Sequence, residues 1–258
     1  MNEPIICFGQ QPCGFFPKRF LAAKVKTAKK LQKEIGGKIV FFYHDSDADY
    51  RETITILNDK QTGAEVRLNF TRENKLQKKH SPLYLKRISK NWKAETLKQL
   101  PRFIEQLLIE IFNSVNEIMV ADFCIKMYRE LKLLDGIEVV RSSDKNFRET
   151  ATELSGEYFV DMEYQDEIIR AQMLEGELKL HEGGGKYIQL PKPDKIEKWQ
   201  KSANRDERFS WMQSVIKCTH YIYGEGEKDY LEFDKFPEVQ FIERDKIDNP
   251  EYAYIPNL

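Results

Sequence analysis

The chain has 258 residues, with 41 Lys and Arg against 42 Asp and Glu, and 41% of its residues are apolar. That length can bury a sizeable core and suits one large domain or two small ones. The balanced charge gives no global field toward nucleic acid or anionic lipid, and no apolar stretch approaches the roughly 20 residues that span a bilayer.

The opening MNEPIICFG lacks the basic and apolar regions of a secretory signal. Cys7, Cys13, Cys124 and Cys218 are scattered without a C-x-x-C pair, so reduced thiols in a cytoplasm are expected. The four histidines show no ligand spacing, which argues against zinc. The expected partner is a small-molecule substrate, with neither membrane nor nucleic acid.

Residues 4–8 predict a short buried strand. Lys18–Ile35 predicts a helix, because Phe20, Leu21, Val25, Ala28 and Leu31 recur at helical spacing and Gly36-Gly37 stop it. The run KIVFFY, Lys38–Tyr43, has the continuous apolar character of a parallel strand covered on both faces. Together these make a βαβ unit. Strands are predicted at Thr53–Leu57 and Ala64–Phe70, joined by a hairpin-like turn from Asn58 through Asp59, Lys60 and Gln61 to Gly63. Residues 71–92 read as basic and irregular. Amphipathic helices are predicted over Ala94–Val115 and Met119–Leu134, a strand at Ile137–Val140, and helices at Phe147–Leu154 and Asp161–Leu174. Glu177–His181 and Lys186–Leu190 flank a glycine-rich hairpin turn. Residues 191–209 read as a polar loop, Val215–Tyr223 as a β-rich run, Lys228–Phe233 as the opening of a helix, and Val239–Ile242 as a last strand. Helices alternating with short apolar strands favour one α/β sheet domain.

Three turns attract chemical interest, because ligands of open α/β sheets sit at the carboxyl ends of strands. The first is GQQPCG, residues 9–14. Gly9 and Gly14 permit close backbone approach, Gln10 and Gln11 each offer an amide donor and acceptor, and Lys18, Arg19 and Lys24 add positive charge. An ordinary strand-to-helix connection with solvated glutamines fits the same residues. Cys13 lies in this turn, where a helix N-terminus would lower its pKa, although a small half-buried thiol is the commoner outcome.

The second is HDSDADYRE, residues 44–52, in which Asp45, Asp47 and Asp49 alternate before Glu52. Tyr50 and Ile56 replace the glycine and glutamate that a calcium loop requires. Two functional readings remain: the metal-holding D-x-D of nucleotide-sugar transferases, with Asp47 and Asp49, or a carboxylate cluster for a substrate amine or hydroxyls. A solvated acidic turn is the third option. His44 is an acid–base candidate. The third turn, YGEGEKDY, residues 223–230, has two glycines after an apolar strand and suits anion binding by backbone N–H groups, though an ordinary charged turn fits too. The basic run Lys75–Lys93 is a candidate partner surface or a solvated loop.

Taken in order, these motifs resemble the bacillithiol-synthesis cysteine-adding (BshC-like) family. That family begins with a strand, a G-Q-Q-x-G-type turn and a run to a lysine, here Gly9-Gln10-Gln11-Pro12-Cys13-Gly14 and Lys24. Its second strand ends in E-D-H-D-aromatic-x-E, matched at Asp47, Asp49, Tyr50 and Glu52. A later E-R-F-S segment leads to G-P-G-E-x-x-Y, here Glu207-Arg208-Phe209-Ser210 and then Gly224, Gly226, Glu227 and Tyr230. Ser46 and Ala48 stand where the family has an acid and a histidine, and Lys18 and Glu225 where it has prolines.

The resemblance implies a Rossmann-like, nucleotidyltransferase-like sheet flanked by helices. It also implies a reaction joining cysteine to the amine of glucosaminyl-malate. The chain has about half the family's length and lacks the sequence of its long coiled coil. On this resemblance Asp47, Asp49 and His44 are the catalytic candidates. Gly9, Gln10, Gln11, Gly14, Lys24, Glu52, Gly224, Gly226, Glu227 and Tyr230 would frame the substrate. The H-x-G-H signature of adenylyl transferases is absent, so ATP with Mg²⁺ is a cofactor option without a motif behind it.

Overall fold

The computed structural model describes residues 3–58, 62–71 and 74–256. In chain order the elements begin with β1 (Ile5–Gln10), α1 (Arg19–Ile35), β2 (Lys38–Tyr43), β3 (Thr55–Asn58), β4 (Glu65–Leu68) and α2 (Lys75–His80). They continue through α3 (Trp92–Gln99), α4 (Gln106–Ser114), α5 (Val120–Glu130), β5 (Ile137–Arg141) and α6 (Lys145–Thr150). Then follow β6 (Tyr158–Tyr164), β7 (Glu167–Leu174), β8 (Glu177–Gly183), β9 (Lys186–Gln189), β10 (Lys201–Ala203), α7 (Arg208–Ile216), β11 (His220–Tyr223) and β12 (Gln240–Glu243).

The central sheet is parallel throughout, with strand order β12-β11-β1-β2-β5. Numbered along the chain, that is the 3-2-1-4-5 order of a Rossmann-like α/β fold. The order reverses between β1 and β11, which opens a crevice at their carboxyl ends.

The apolar run of β2 explains why the sheet is covered on both sides. Ile39, Phe41 and Tyr43 join Ile6 and Phe8 in a core shared with α1, α4 and α5. Val40 and Phe42 point the other way, with Cys7, into a second core built on Phe147, Trp211 and Met212 of α6 and α7. Helix α1 ends where Gly36 and Gly37 take positive φ; a Cβ on Gly37 would stand 2.1 Å from the Pro4 carbonyl oxygen. No helix among the described residues is long and apolar enough to cross a membrane.

Between α6 and α7 the chain inserts an antiparallel sheet of order β10-β6-β7-β8-β9 with its own apolar layer. This overturns the helix expected over Asp161–Leu174. Val160, Met162, Ile169, Ala171 and Met173 bury at alternate positions, the strand period, and Gln165 and Asp166 turn the hairpin with φ of 51° and 61°.

The helix expected over Ala94–Val115 breaks into α3 and α4. Pro101 lacks an N–H and drives Leu100 to the extended region, at ψ 130°. The stretch read as irregular, 71–92, contains α2, capped by the Asn74 side chain on the Leu76 and Gln77 amides. The polar loop expected over 191–209 holds β10 and the start of α7. In the run read as β-rich, α7 continues through Ile216, Lys217 reverses the chain in the left-handed region, and the strand begins at His220. Lys228–Phe233 forms turns, with short 3₁₀ segments at Glu225–Glu227 and Phe233–Lys235. The strands β3 and β4 pair as expected, while residues 59–61 of their connecting turn lie outside the described residues.

Candidate functional site

The crevice between β1 and β11 has a volume of about 490 Å³. It is lined by Gly9, Gln10 and Gln11 from the first turn, by His44 and Glu52 from the second, and by Gly224–Glu227 and Tyr230 from the third. The three turns singled out in the sequence therefore meet at the switch point of the sheet. Phe20, Lys24, Arg208, Arg244, Pro250 and Glu251 complete the lining.

Lys24 ties the first and third turns together from inside. Its Nζ donates to the Gly9 carbonyl at 2.8 Å and forms a short ion pair with Glu227. The Glu227 carboxylate also accepts from Tyr221 Oη at 3.0 Å and from the Gly224 N–H at 2.7 Å. With 3% of the Lys24 side chain and 15% of the Glu227 side chain exposed, this is a largely buried pair whose carboxylate has two further donors.

His44 follows β2 on the face that carries Val40 and Phe42, and its ring meets Phe42 edge-on at 4.6 Å. A Cβ on Gly9 would stand 2.6 Å from His44 Nε2, so the glycine is what lets the imidazole lie over the first turn. Burial, aided by the positive charges of Arg208 and Lys24, holds the His44 pKa well below its ordinary value. The ring is thus neutral at physiological pH.

The acidic turn divides its carboxylates among different tasks. Asp45 is fully buried and accepts from Arg141 Nε at 2.5 Å, Ser143 Oγ at 2.7 Å, Ser143 N at 3.0 Å and Ser142 Oγ at 3.1 Å. Its role is to pin the turn to the end of β5. Asp47 Oδ1 caps the turn through the Ala48 and Asp49 amides, at 2.6 and 3.2 Å. Burial would raise the Asp47 carboxyl, but Arg170, Arg208 and those amides hold it well below the usual carboxylate range. Arg170 and Arg208 approach it at 3.5 and 3.4 Å, and Gln11 Nε2 at 3.4 Å. Asp47 therefore stands behind the crevice wall rather than in its lining. Asp49 turns away to Arg51, which it engages at 2.6–3.0 Å. The two aspartates do not converge, and no described group of three or more His, Cys, Asp or Glu side chains could hold a metal ion. Glu52 does face the crevice, and burial raises its carboxyl pKa.

Gly14 also lies outside the crevice. It takes φ of 100° and its carbonyl accepts from Tyr128 Oη at 2.9 Å, so it shapes the turn from beneath. The Cys13 thiol is buried 3.4 Å from the same hydroxyl, and burial pushes it up rather than down. The Lys75–Lys93 stretch is mixed: Lys75, Lys78, Lys79, Arg87 and Lys90 are exposed, while others are tied into the fold. Lys86 is fully buried and donates to the Ala48 and Lys78 carbonyls, Arg87 pairs with Glu167 at 2.5 Å, and Lys93 donates to Val115 O at 2.7 Å.

Two arginines of the lining, Arg208 and Arg244, were missed, as was Arg170 behind it. Arg208 opens α7 within the quoted E-R-F-S segment, and Arg244 follows the last strand, where the strand-end rule points to it. Arg170 lies on β7, in the stretch misread as helix, and burial lowers its pKa to about 10. Arg244 Nε is buried without a hydrogen-bond partner among the described residues, 3.5 Å from where a Gly224 side chain would begin.

A Rossmann-like α/β protein with a small, charged, strand-end crevice is the class that this fold and site define. No protein-family model matches the chain, and no curated protein matches it either.

Proposed function

We propose that the crevice is the active site of a small-molecule ligase that joins an amino acid, cysteine-like, to the amine of a second metabolite. On this reading the central sheet is nucleotidyltransferase-like. The observation that carries it is the meeting of the three turns around a buried, neutral imidazole. Amide formation needs a deprotonated amine and an oriented, activated carboxyl. Glu52, whose carboxyl pKa is raised by burial, accepts the amine proton as the C–N bond forms, and the neutral His44 ring orients the amine as a hydrogen-bond partner. Arg208 and Arg244, whose buried Nε has no hydrogen-bond partner among the described residues, offer guanidinium forks for carboxylate or phosphate oxygens. Gln10, Gln11 and Glu52 supply directional contacts for hydroxyls or the amine. The carboxyl oxygen leaves as part of a phosphate or a nucleoside monophosphate, so a nucleoside triphosphate is the co-substrate class.

A metal-dependent nucleotide-sugar transferase needs Asp47 and Asp49 on one cation. Their engagement by different arginines favours the ligase over it. A non-catalytic module on the same fold is the remaining alternative. A thermal-shift series separates the three. Cysteine, glucosaminyl-malate and ATP·Mg²⁺ are expected to stabilise the wild type, by about 2.7 kcal/mol at 100 times Kd, and to lose that effect in Arg208→Ala. A response confined to Mn²⁺ with a nucleotide sugar moves the assignment to the transferase. No response to any ligand leaves the binding module.

A further inference from the structure

A second concavity, of about 1360 Å³, runs along the outer face of α1 and shares no lining residue with the crevice. Its walls are α1, the turn after α5, the loop between α3 and α4, and the C-terminal segment 245–255. Six lysines line it: Lys26, Lys29, Lys30 and Lys33 along α1, with Lys132 and Lys246 on the opposite walls. Glu105 and Asp245 are its only acidic lining residues among those described. Five of the lysines are exposed and Lys29 is half-buried, and none forms an ion pair with a described residue. The α1 lysines recur at the spacing that places them on one helix face.

The floor between these charges is apolar, with Leu131, Leu133, Tyr254 and Ile255, and Phe103 remains 38% exposed at its edge. So many unpaired cations of one sign on a chain of net charge −1 is a local field, not a global one.

We propose that this groove docks an acidic, amphipathic segment of a partner protein. From Arg19 to Lys33 the helix rises roughly 21 Å, room for about 14 residues of a partner helix. Carboxylates on the outer edges of such a segment would meet the two rows of lysine. Its apolar face would cover Phe103, Tyr254 and Ile255, which a charge-only ligand would leave partly in water. A nucleic acid longer than the groove would run onto a surface with no net positive charge, and a membrane cannot follow a concave wall.

Fluorescence anisotropy tests the inference, with a labelled peptide of about 14 residues carrying leucines at i, i+3, i+4 and i+7 among glutamates. The expected result is saturable binding that weakens about tenfold in Lys26→Glu/Lys30→Glu, with thermal stability unchanged, and again on raising salt from about 50 to about 300 mM. Replacing the leucines by serine is expected to weaken it by a similar factor. If the α1 variant is poorly folded, Lys132→Glu/Lys246→Glu on the opposite walls provides the same reading. Absence of saturable binding overturns the proposal, as does equal binding by a folded charge-reversal variant. Tighter binding of a 20-nucleotide RNA or of phosphatidylserine vesicles than of the peptide overturns it too.

Discussion

Lys24 and His44 show how single residues make the crevice what it is. Lys24 looks from the sequence like one of several cations after a glycine turn. In the fold it is 2% exposed and its charge is met by Glu227, 203 residues away in the chain. Lys24→Met is expected to cost about 3–5 kcal/mol in urea unfolding, because it strands the Glu227 carboxylate. Adding Glu227→Gln should restore much of that loss, whereas an additive double mutant would show that the pair is not coupled.

His44 makes a pH prediction. Its unfolded-state pKa is near 6.5 and its folded value lies well below, so the unfolded chain takes up a proton first as pH falls. The stability linked to His44 is complete above about pH 6.5 and declines as pH drops below it, until the folded ring itself protonates. Urea midpoints of the wild type should fall over that window more steeply than those of His44→Gln; parallel curves would place the titration elsewhere. At this scale the sequence located the imidazole and the glutamine turn by their strand-end positions. It did not separate Asp47 from Asp49, because the arginines that divide them come from β7, α7 and the next residues of the turn.

Among the elements, β6 and β7 of the inserted sheet are what the sequence hid, whereas the β8–β9 hairpin formed as expected. The β6–β7 hairpin turns on Gln165-Asp166, which carries none of the glycine that marks such turns, and Glu167–Leu174 is rich in residues that helices also use. The helix expected over Ala94–Val115 followed apolar periodicity straight across Pro101, and the Asn74 cap lay in a stretch too basic to show a helical period. The βαβ unit from β1 to β2 was plain, since KIVFFY has no helical reading of comparable strength.

The insert is fastened to the parallel sheet by buried polar contacts. Arg148 of α6 donates to Asp161 of β6 at 2.7 Å, with 1% and 2% of the side chains exposed, and Tyr84 Oη donates to the same carboxylate at 2.9 Å. Asp161→Asn leaves the Arg148 charge uncompensated and is expected to cost about 3–5 kcal/mol. Hydrogen exchange should quicken first in β6 and β7 and leave β1 and β2 protected. A uniform loss of protection across both sheets would mean that the insert does not open separately.

For the whole molecule, the strand order determines where chemistry can happen. Reversal of the sheet between β1 and β11 brings turns from residues 9–11, 44–52 and 224–230 to one edge, and their separate motifs become one crevice. The basic groove on α1 was not legible in advance. Its lysines are spread over a helix, a turn and the C-terminal segment, and no sequence window holds them together.

On the proposed function, the crevice binds a carboxylate- and amine-bearing small molecule, and a ¹H–¹⁵N correlation titration with cysteine and with glucosaminyl-malate reads this out residue by residue. Shifts that saturate at Gly9–Gln11, His44, Arg208 and Gly224–Glu227, and vanish in Arg208→Ala, are the predicted result. Absence of saturable shifts, or shifts confined to residues outside the crevice, would mean that the crevice does not bind such a ligand.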